Sequence, residues 1–163
     1  MSKQDQLSKH VKVSVTASFL INVVLNFLVA YFLNREKLYS DMTRMQTLQE
    51  LFIDLLITGA VIGAANAWFG LDGMKKAKLT DALDYSEEAS RLMRKSWLFG
   101  LLLGIMVGVL IFLLTLAVFF LFSFDRFTLI SYAVYKAVAG GVIGAVVTFR
   151  TIGYAAKSHQ TKV

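Results

Sequence analysis

The sequence predicts an all-α membrane protein with four transmembrane helices, arranged as two tandem helical hairpins that point the same way. Hydrophobic residues make up 56% of the 163 residues, proline is absent, and the mean hydropathy is +0.61. Four apolar runs are each long enough to cross a hydrocarbon core about 30 Å thick, which takes roughly 20 helical residues. A short phrase of small residues occurs in both the second and the fourth run. We therefore expect one integral-membrane domain over residues 1–163.

The predicted spans cover residues 11–33, 51–70, 97–122 and 127–149, with a cytoplasmic loop over 71–96. The first run is too long for the apolar region of a cleaved signal peptide and has no small-residue cleavage site, so we expect it to remain as a helix. Trp68 and Trp97 fall near predicted span ends, where tryptophan is enriched. The chain has no cysteine, which removes disulfides and thiolate metal sites from consideration.

The distribution of basic residues predicts the orientation. Of the 17 Lys and Arg residues, twelve lie in the N-terminal tail, the loop between spans two and three, and the C-terminal tail. Because basic residues near span ends stay in the cytoplasm, both termini should be cytoplasmic. The net charge of +6 then follows from topology and from the anionic inner leaflet, so it does not indicate nucleic-acid binding. We expect a cell inner membrane.

A repeated phrase predicts the tandem arrangement. Residues 59–64 read GAVIGA and residues 140–145 read GGVIGA, an offset of 81. Spans one and three can be matched at an offset of 86, which places Ser14, Ser18 and Asn22 on three glycines of span three. Units with an even number of spans keep their orientation, so the halves would form a parallel repeat about an axis along the membrane normal.

Each predicted span carries a row of small or polar residues at a spacing of four, which stays on one helix face. Small residues let helix backbones approach closely in lipid, and amides bond between helices. We expect the polar stripe of span one, which begins at Ser14, to pack beside the glycine row of span three, which begins at Gly100. The stripe would serve as an interhelical contact or as the lining of a solute path. The glycine rows are Gly59 and Gly63; Gly100, Gly104 and Gly108; and Gly140 and Gly144, while the polar stripe is Ser14, Ser18, Asn22 and Asn26.

Asp54 and Lys136 are the ionisable residues inside otherwise apolar spans. A charge at bilayer depth costs at least about 2.5 kcal/mol, so such residues mark partners or function. The repeat places both at nearly the same depth, which favours a direct ion pair between spans two and four. Two alternatives remain open: each charge reaches the outer interface along its own side chain, or the two line a proton- or cation-coupled path.

Two amphipathic stretches lie outside the spans. Leu38, Met42, Met45 and Leu48 predict a short interfacial helix before span two. Residues 79–97 predict a cytoplasmic helix, which would lie on the membrane surface or receive a soluble partner.

The sequence contains no catalytic, metal-binding or nucleotide-binding motif, so we expect neither an enzyme nor a cofactor. Two functions remain in competition. The first is a helix-packing scaffold or accessory subunit that contacts the lipid bilayer and copies of itself or a larger membrane complex. This hypothesis rests on the four small or polar helix faces, which are more than one four-helix bundle needs for its own packing. The second is a small-solute or ion transporter working as a dimer, because a bundle of this size seldom encloses a solute cavity alone.

Overall fold

A computed structural model describes residues 3–36, 44–76, 95–121 and 127–157, and these residues form four helices. The helices are α1 (Lys3–Asn34), α2 (Arg44–Lys76), α3 (Ser96–Leu121) and α4 (Leu129–Lys157). All four are long and apolar enough to cross a membrane, and no strand occurs within the described ranges. For the described residues, the prediction of an all-helical protein with four helices able to span a membrane is therefore confirmed.

Helices α1, α2 and α4 extend beyond the predicted spans into polar sequence. A helix satisfies its own backbone groups whatever its side chains are, and the proline-free chain offers no forced stop. Helix α2 runs through Gly70 and Gly73 and ends at Lys75 and Lys76. The positive charges of these two lysines interact favourably with the negative C-terminal end of the helix dipole.

The two predicted amphipathic helices are only partly covered by the structure. Met45 and Leu48 lie in the first turns of α2 itself, so from residue 44 onward there is no separate interfacial helix. Leu38 and Met42 fall outside the described residues, as does most of the predicted cytoplasmic helix at 79–97.

The four helices form two closely packed pairs. Helix α1 packs mainly on α4, and α3 packs mainly on α2, while α2 and α4 also touch each other. Helices α1 and α2 have little contact although they are consecutive in the chain. As a result α2 and α4 form the centre of the bundle, and α1 and α3 bury a much smaller share of their surface.

Three apolar clusters follow each other along the bundle. We call the end where α1 begins and α4 ends the terminal end, and the opposite end the distal end. The distal cluster contains Leu51, Phe119 and Ala133, with the ring of Phe127 tilted against that of Phe119. The middle cluster joins α2, α3 and α4, and the terminal cluster joins the ends of α1, α2 and α4; their buried members are Ile62, Ala67, Val107, Ile143 and Val147, and then Leu71, Met74 and Ile152.

Candidate functional site

The structure brings Asp54 and Lys136 together between α2 and α4. Lys136 Nζ lies 2.8 Å from Asp54 Oδ1 and 2.6 Å from Thr58 Oγ1, and it approaches the Asp54 backbone oxygen at 3.3 Å. The second carboxylate oxygen of Asp54 accepts a hydrogen bond from the Tyr132 hydroxyl. We call these four residues the distal polar cluster.

The two charged side chains differ in exposure. The Lys136 side chain is 6% exposed and points toward α2, so its ammonium does not extend along α4 toward the bundle end. The Asp54 side chain is 35% exposed. An ammonium has three N–H donors, and three oxygens of α2 lie within bonding distance of this one. The charge of Lys136 is thus neutralised and its donors are used within the bundle.

The polar stripe of α1 forms a second cluster nearer the terminal end. The Oδ1 atom of Asn66 on α2 accepts a hydrogen bond from the Ser18 hydroxyl, and bonds of 3.4 Å come from Asn22 Nδ2 and Thr148 Oγ1. We call these four residues the terminal polar cluster. The stripe continues to Ser14, whose hydroxyl lies 3.4 Å from His10 Nε2.

The asparagine amides also bond to their own helices. In each of four cases the side-chain nitrogen donates to the carbonyl oxygen four residues earlier. The bonds are Asn22 to Ser18 at 2.7 Å, Asn26 to Asn22 and Asn34 to Ala30 at 2.8 Å, and Asn66 to Ile62 at 2.9 Å. One N–H of each amide is therefore satisfied within its own helix, while the Asn66 oxygen is used between helices.

The glycines of α2 and α3 place the two backbones in direct contact. A Cβ added to Gly63 would overlap the Gly100 carbonyl, and one added to Gly59 would overlap the Gly104 carbonyl. A Cβ on Gly108 would lie 2.8 Å from the backbone oxygen of Leu55. All three glycines of the α3 row thus face α2.

The glycines of α4 face the polar stripe of α1. A Cβ on Gly140 would meet the Asn26 amide, and one on Gly144 would meet Asn22 and the Ser18 hydroxyl. The expectation that the Ser14 stripe packs beside the Gly100 row is therefore wrong. The physical reason is that α3 meets α2 glycine against glycine, which leaves α1 to cover α4.

The scaffold hypothesis assumed that the chain has more small or polar helix faces than its own bundle uses. For the described helices this assumption is wrong. Each glycine row, and the stripe from Ser18 to Asn26, is covered by another helix of the same chain. No small-residue face among those predicted remains uncovered for a second molecule.

Sequence reasoning missed Thr58, Tyr132 and Thr148. Thr58 lies four residues after Asp54, and Tyr132 lies four residues before Lys136, so each shares a helix face with a charged residue already singled out. That spacing was the available signal. A further bond, 2.7 Å between Thr115 Oγ1 and the Tyr135 hydroxyl, joins α3 to α4 and had no comparable signal.

The chemistry of both clusters is that of hydrogen bonding and charge neutralisation. Within the described part of the chain, no group of three His, Cys, Asp or Glu side chains could hold a metal ion. Comparison with protein-family models, with curated proteins and with solved structures finds no match to this chain.

Proposed function

We propose that the chain is a small multi-pass membrane protein that acts as a helix-packing scaffold or accessory subunit of a membrane complex, without enzymatic activity. The observation that carries the proposal is the use of the buried polar groups. Lys136 has three acceptors on α2, and Asp54 has donors from two residues of α4. Such an arrangement favours a fixed packing of α2 on α4.

The outer surface supports the same role. Long apolar side chains cover α1 and α3, and a row on α3 is exposed at Leu102, Met106, Leu110 and Leu114. Because the glycine rows are covered within one chain, self-association or binding to a larger membrane subunit would use these apolar faces. The bilayer is the other partner, and we propose no nucleic-acid partner.

The topology belongs to the proposal as well. Eight basic residues of the described ranges lie at the terminal end and two, Arg35 and Arg44, lie at the distal end, which supports cytoplasmic termini in an inner membrane. The eight are Lys3, Lys9, Lys12, Lys75, Lys76, Lys95, Arg150 and Lys157.

We also propose that the two hairpins are a tandem repeat. The first hairpin is α1 with α2, and the second is α3 with α4. If the two hairpins are exchanged, the α2–α3 pair becomes the α4–α1 pair, and these two pairs make the most extensive contacts of the bundle. Gly63 faces Gly100, and Gly144, 81 residues after Gly63, faces Ser18. These contacts align Ser18 with Gly100 at an offset of 82, one helical turn from the offset of 86 suggested by the sequence.

A small-solute or ion transporter working as a dimer is the second candidate. The observation that favours it is the 35% exposure of the Asp54 side chain, which lies about one turn inside the distal end of the apolar part of α2. A partly exposed carboxylate at such a place can exchange a proton or bind a cation, with Lys136 as the built-in counter-charge. The polar stripe of α1 would then line the same path.

A double-mutant cycle tests the first proposal. We expect Asp54→Asn and Lys136→Met each to lower the unfolding free energy in detergent, and the double variant to recover most of the loss. Removal of one partner from a buried pair costs about 3–5 kcal/mol, and the exposure of Asp54 favours the lower end. Simply additive losses would contradict a structural pair.

Matched controls make the result specific. Asp72, on the same helix, pairs with Lys76 at 2.7 Å on the surface, so Asp72→Asn should change stability by only about 0.5 kcal/mol. Wild type and both Asn variants should then be compared in liposomes for cation and proton flux. Flux that depends on Asp54 but not on Asp72 would replace the scaffold proposal with the transporter.

A further inference from the structure

The boundary between the two helix pairs differs in chemistry from the contacts inside each pair. Inside the α2–α3 pair, glycine backbones touch directly. Inside the α1–α4 pair, the glycines of α4 receive the side chains of α1. Across the boundary, both polar clusters join one pair to the other: the distal cluster links α4 to α2, and the terminal cluster links α1 and α4 to α2.

The two clusters lie at opposite sides of an apolar contact. Asp54 and Asn66 are separated by twelve residues of α2, which is about 18 Å along the helix axis. Midway between Thr58 and Asn66, Ile62 packs in one cluster with Ile143 of α4. The Tyr135 to Thr115 bond adds a second link between the pairs on the distal side.

These contacts differ in how they respond to displacement. Close backbone packing through glycine resists movement, since interlocked surfaces have few alternative arrangements. The contact of Ile62 with Ile143 has no hydrogen bond to lose, so a small tilt of one helix on the other costs it less than it costs a polar cluster. A hydrogen-bonded cluster in a low-dielectric interior is either formed or broken, because its bonds depend steeply on distance and angle.

We infer that the chain works as a hinge with two latches, in which the α1–α4 pair and the α2–α3 pair rock as bodies about the Ile62–Ile143 contact. The distal polar cluster, with the adjacent apolar cluster of Leu51, Phe119 and Ala133, closes one side of the boundary, and the terminal polar cluster, with Leu71 and Ile152, closes the other. Either latch can open while the other remains closed. This inference goes beyond the packing role proposed above, which requires only a single closed arrangement.

Distances between spin labels test the hinge, and the cysteine-free chain allows labels at chosen sites. Exposed positions Leu33 and Leu121 report the distal distance between the pairs, and exposed positions Val13 and Trp97 report the terminal distance. Met45 with Leu121 reports the distance within the α2–α3 pair as a control. Each pair of positions is changed to cysteine in the full chain, labelled and measured in lipid nanodiscs by pulsed electron resonance.

Two variants open the latches separately. Asp54→Asn should lengthen or broaden the distal distance by about 2 Å or more, the scale of known helix shifts, and leave the terminal distance and the control unchanged. Asn66→Leu should do the reverse. Where Asp54→Asn fails to fold, Tyr132→Phe removes one bond of the same latch with little change of volume.

Three results would overturn the inference. One is a change in the control distance within the α2–α3 pair that is as large as the changes between the pairs, because the helix pairs would then not move as rigid units. Another is a variant that changes both ends equally, because the latches would not be independent. The third is no change in any distance for folded variants of both clusters, which would indicate a single rigid bundle.

Discussion

Gly104→Ala should destabilise the bundle, because this glycine lies where α2 and α3 are closest. The added Cβ would overlap the Gly59 carbonyl oxygen and lie 2.8 Å from the Cα atom of Gly63. Both obstacles are backbone atoms of a central helix, so neither can turn aside as a side chain would. The two helices must separate to admit the methyl group.

The expected loss is set by two opposing effects. Overpacking of a well-packed interior costs about 1–3 kcal/mol, and the backbone obstacles favour the upper part of that range. Alanine improves the intrinsic helix stability by about 0.5–1 kcal/mol relative to glycine. We therefore expect a net decrease in unfolding free energy of about 1–2 kcal/mol.

Gly153 is the matched control, because its Cβ would have no other atom within 4 Å. Gly153→Ala should raise stability by about 0.5–1 kcal/mol through helix propensity alone. The measurement is reversible unfolding by dodecyl sulfate in mixed micelles, followed by circular dichroism. If Gly104→Ala is as stable as Gly153→Ala, α2 and α3 do not pack through these glycines.

Gly144→Ala should cost less than the same change on α3, because the atoms that the added Cβ meets most closely are side-chain atoms of α1 and not backbone atoms; equal losses in the same unfolding assay would contradict this. Tyr135→Phe removes the 2.7 Å bond to Thr115 and should lower stability by about 0.5–1.5 kcal/mol; a larger loss would indicate a wider network around that hydroxyl. For the orientation, Arg35→Cys should react with a membrane-impermeant maleimide on intact cells and Lys75→Cys only after lysis, and the opposite pattern would place the termini outside.

The spans could be predicted because membrane insertion depends mainly on length and hydropathy. The apolar runs at 11–33 and 127–149 lie within α1 and α4 with small differences at the ends. The polar extensions were missed because hydropathy reports where lipid ends, while helices continue until a backbone or tertiary cause stops them.

The contact of Asp54 with Lys136 was accessible from the sequence because two charges in neighbouring apolar helices have few other partners. The repeat alignment also places Asp54 and Lys136 at nearly the same depth in the membrane, which favours each as the partner of the other. The choice of helix neighbours was not accessible in the same way. A row such as Gly100 to Gly108 shows that a helix has a close partner, but every other span also offered a small or polar face.

The bonds from each asparagine amide to its own helix have a consequence for biosynthesis. Helix α1 is synthesised before α4, which covers the polar stripe. In the interval Asn22 and Asn26 would face hydrocarbon, but one N–H of each amide already donates to a carbonyl oxygen one turn earlier. The cost of desolvating these amides is therefore reduced while α1 lies in the bilayer without α4.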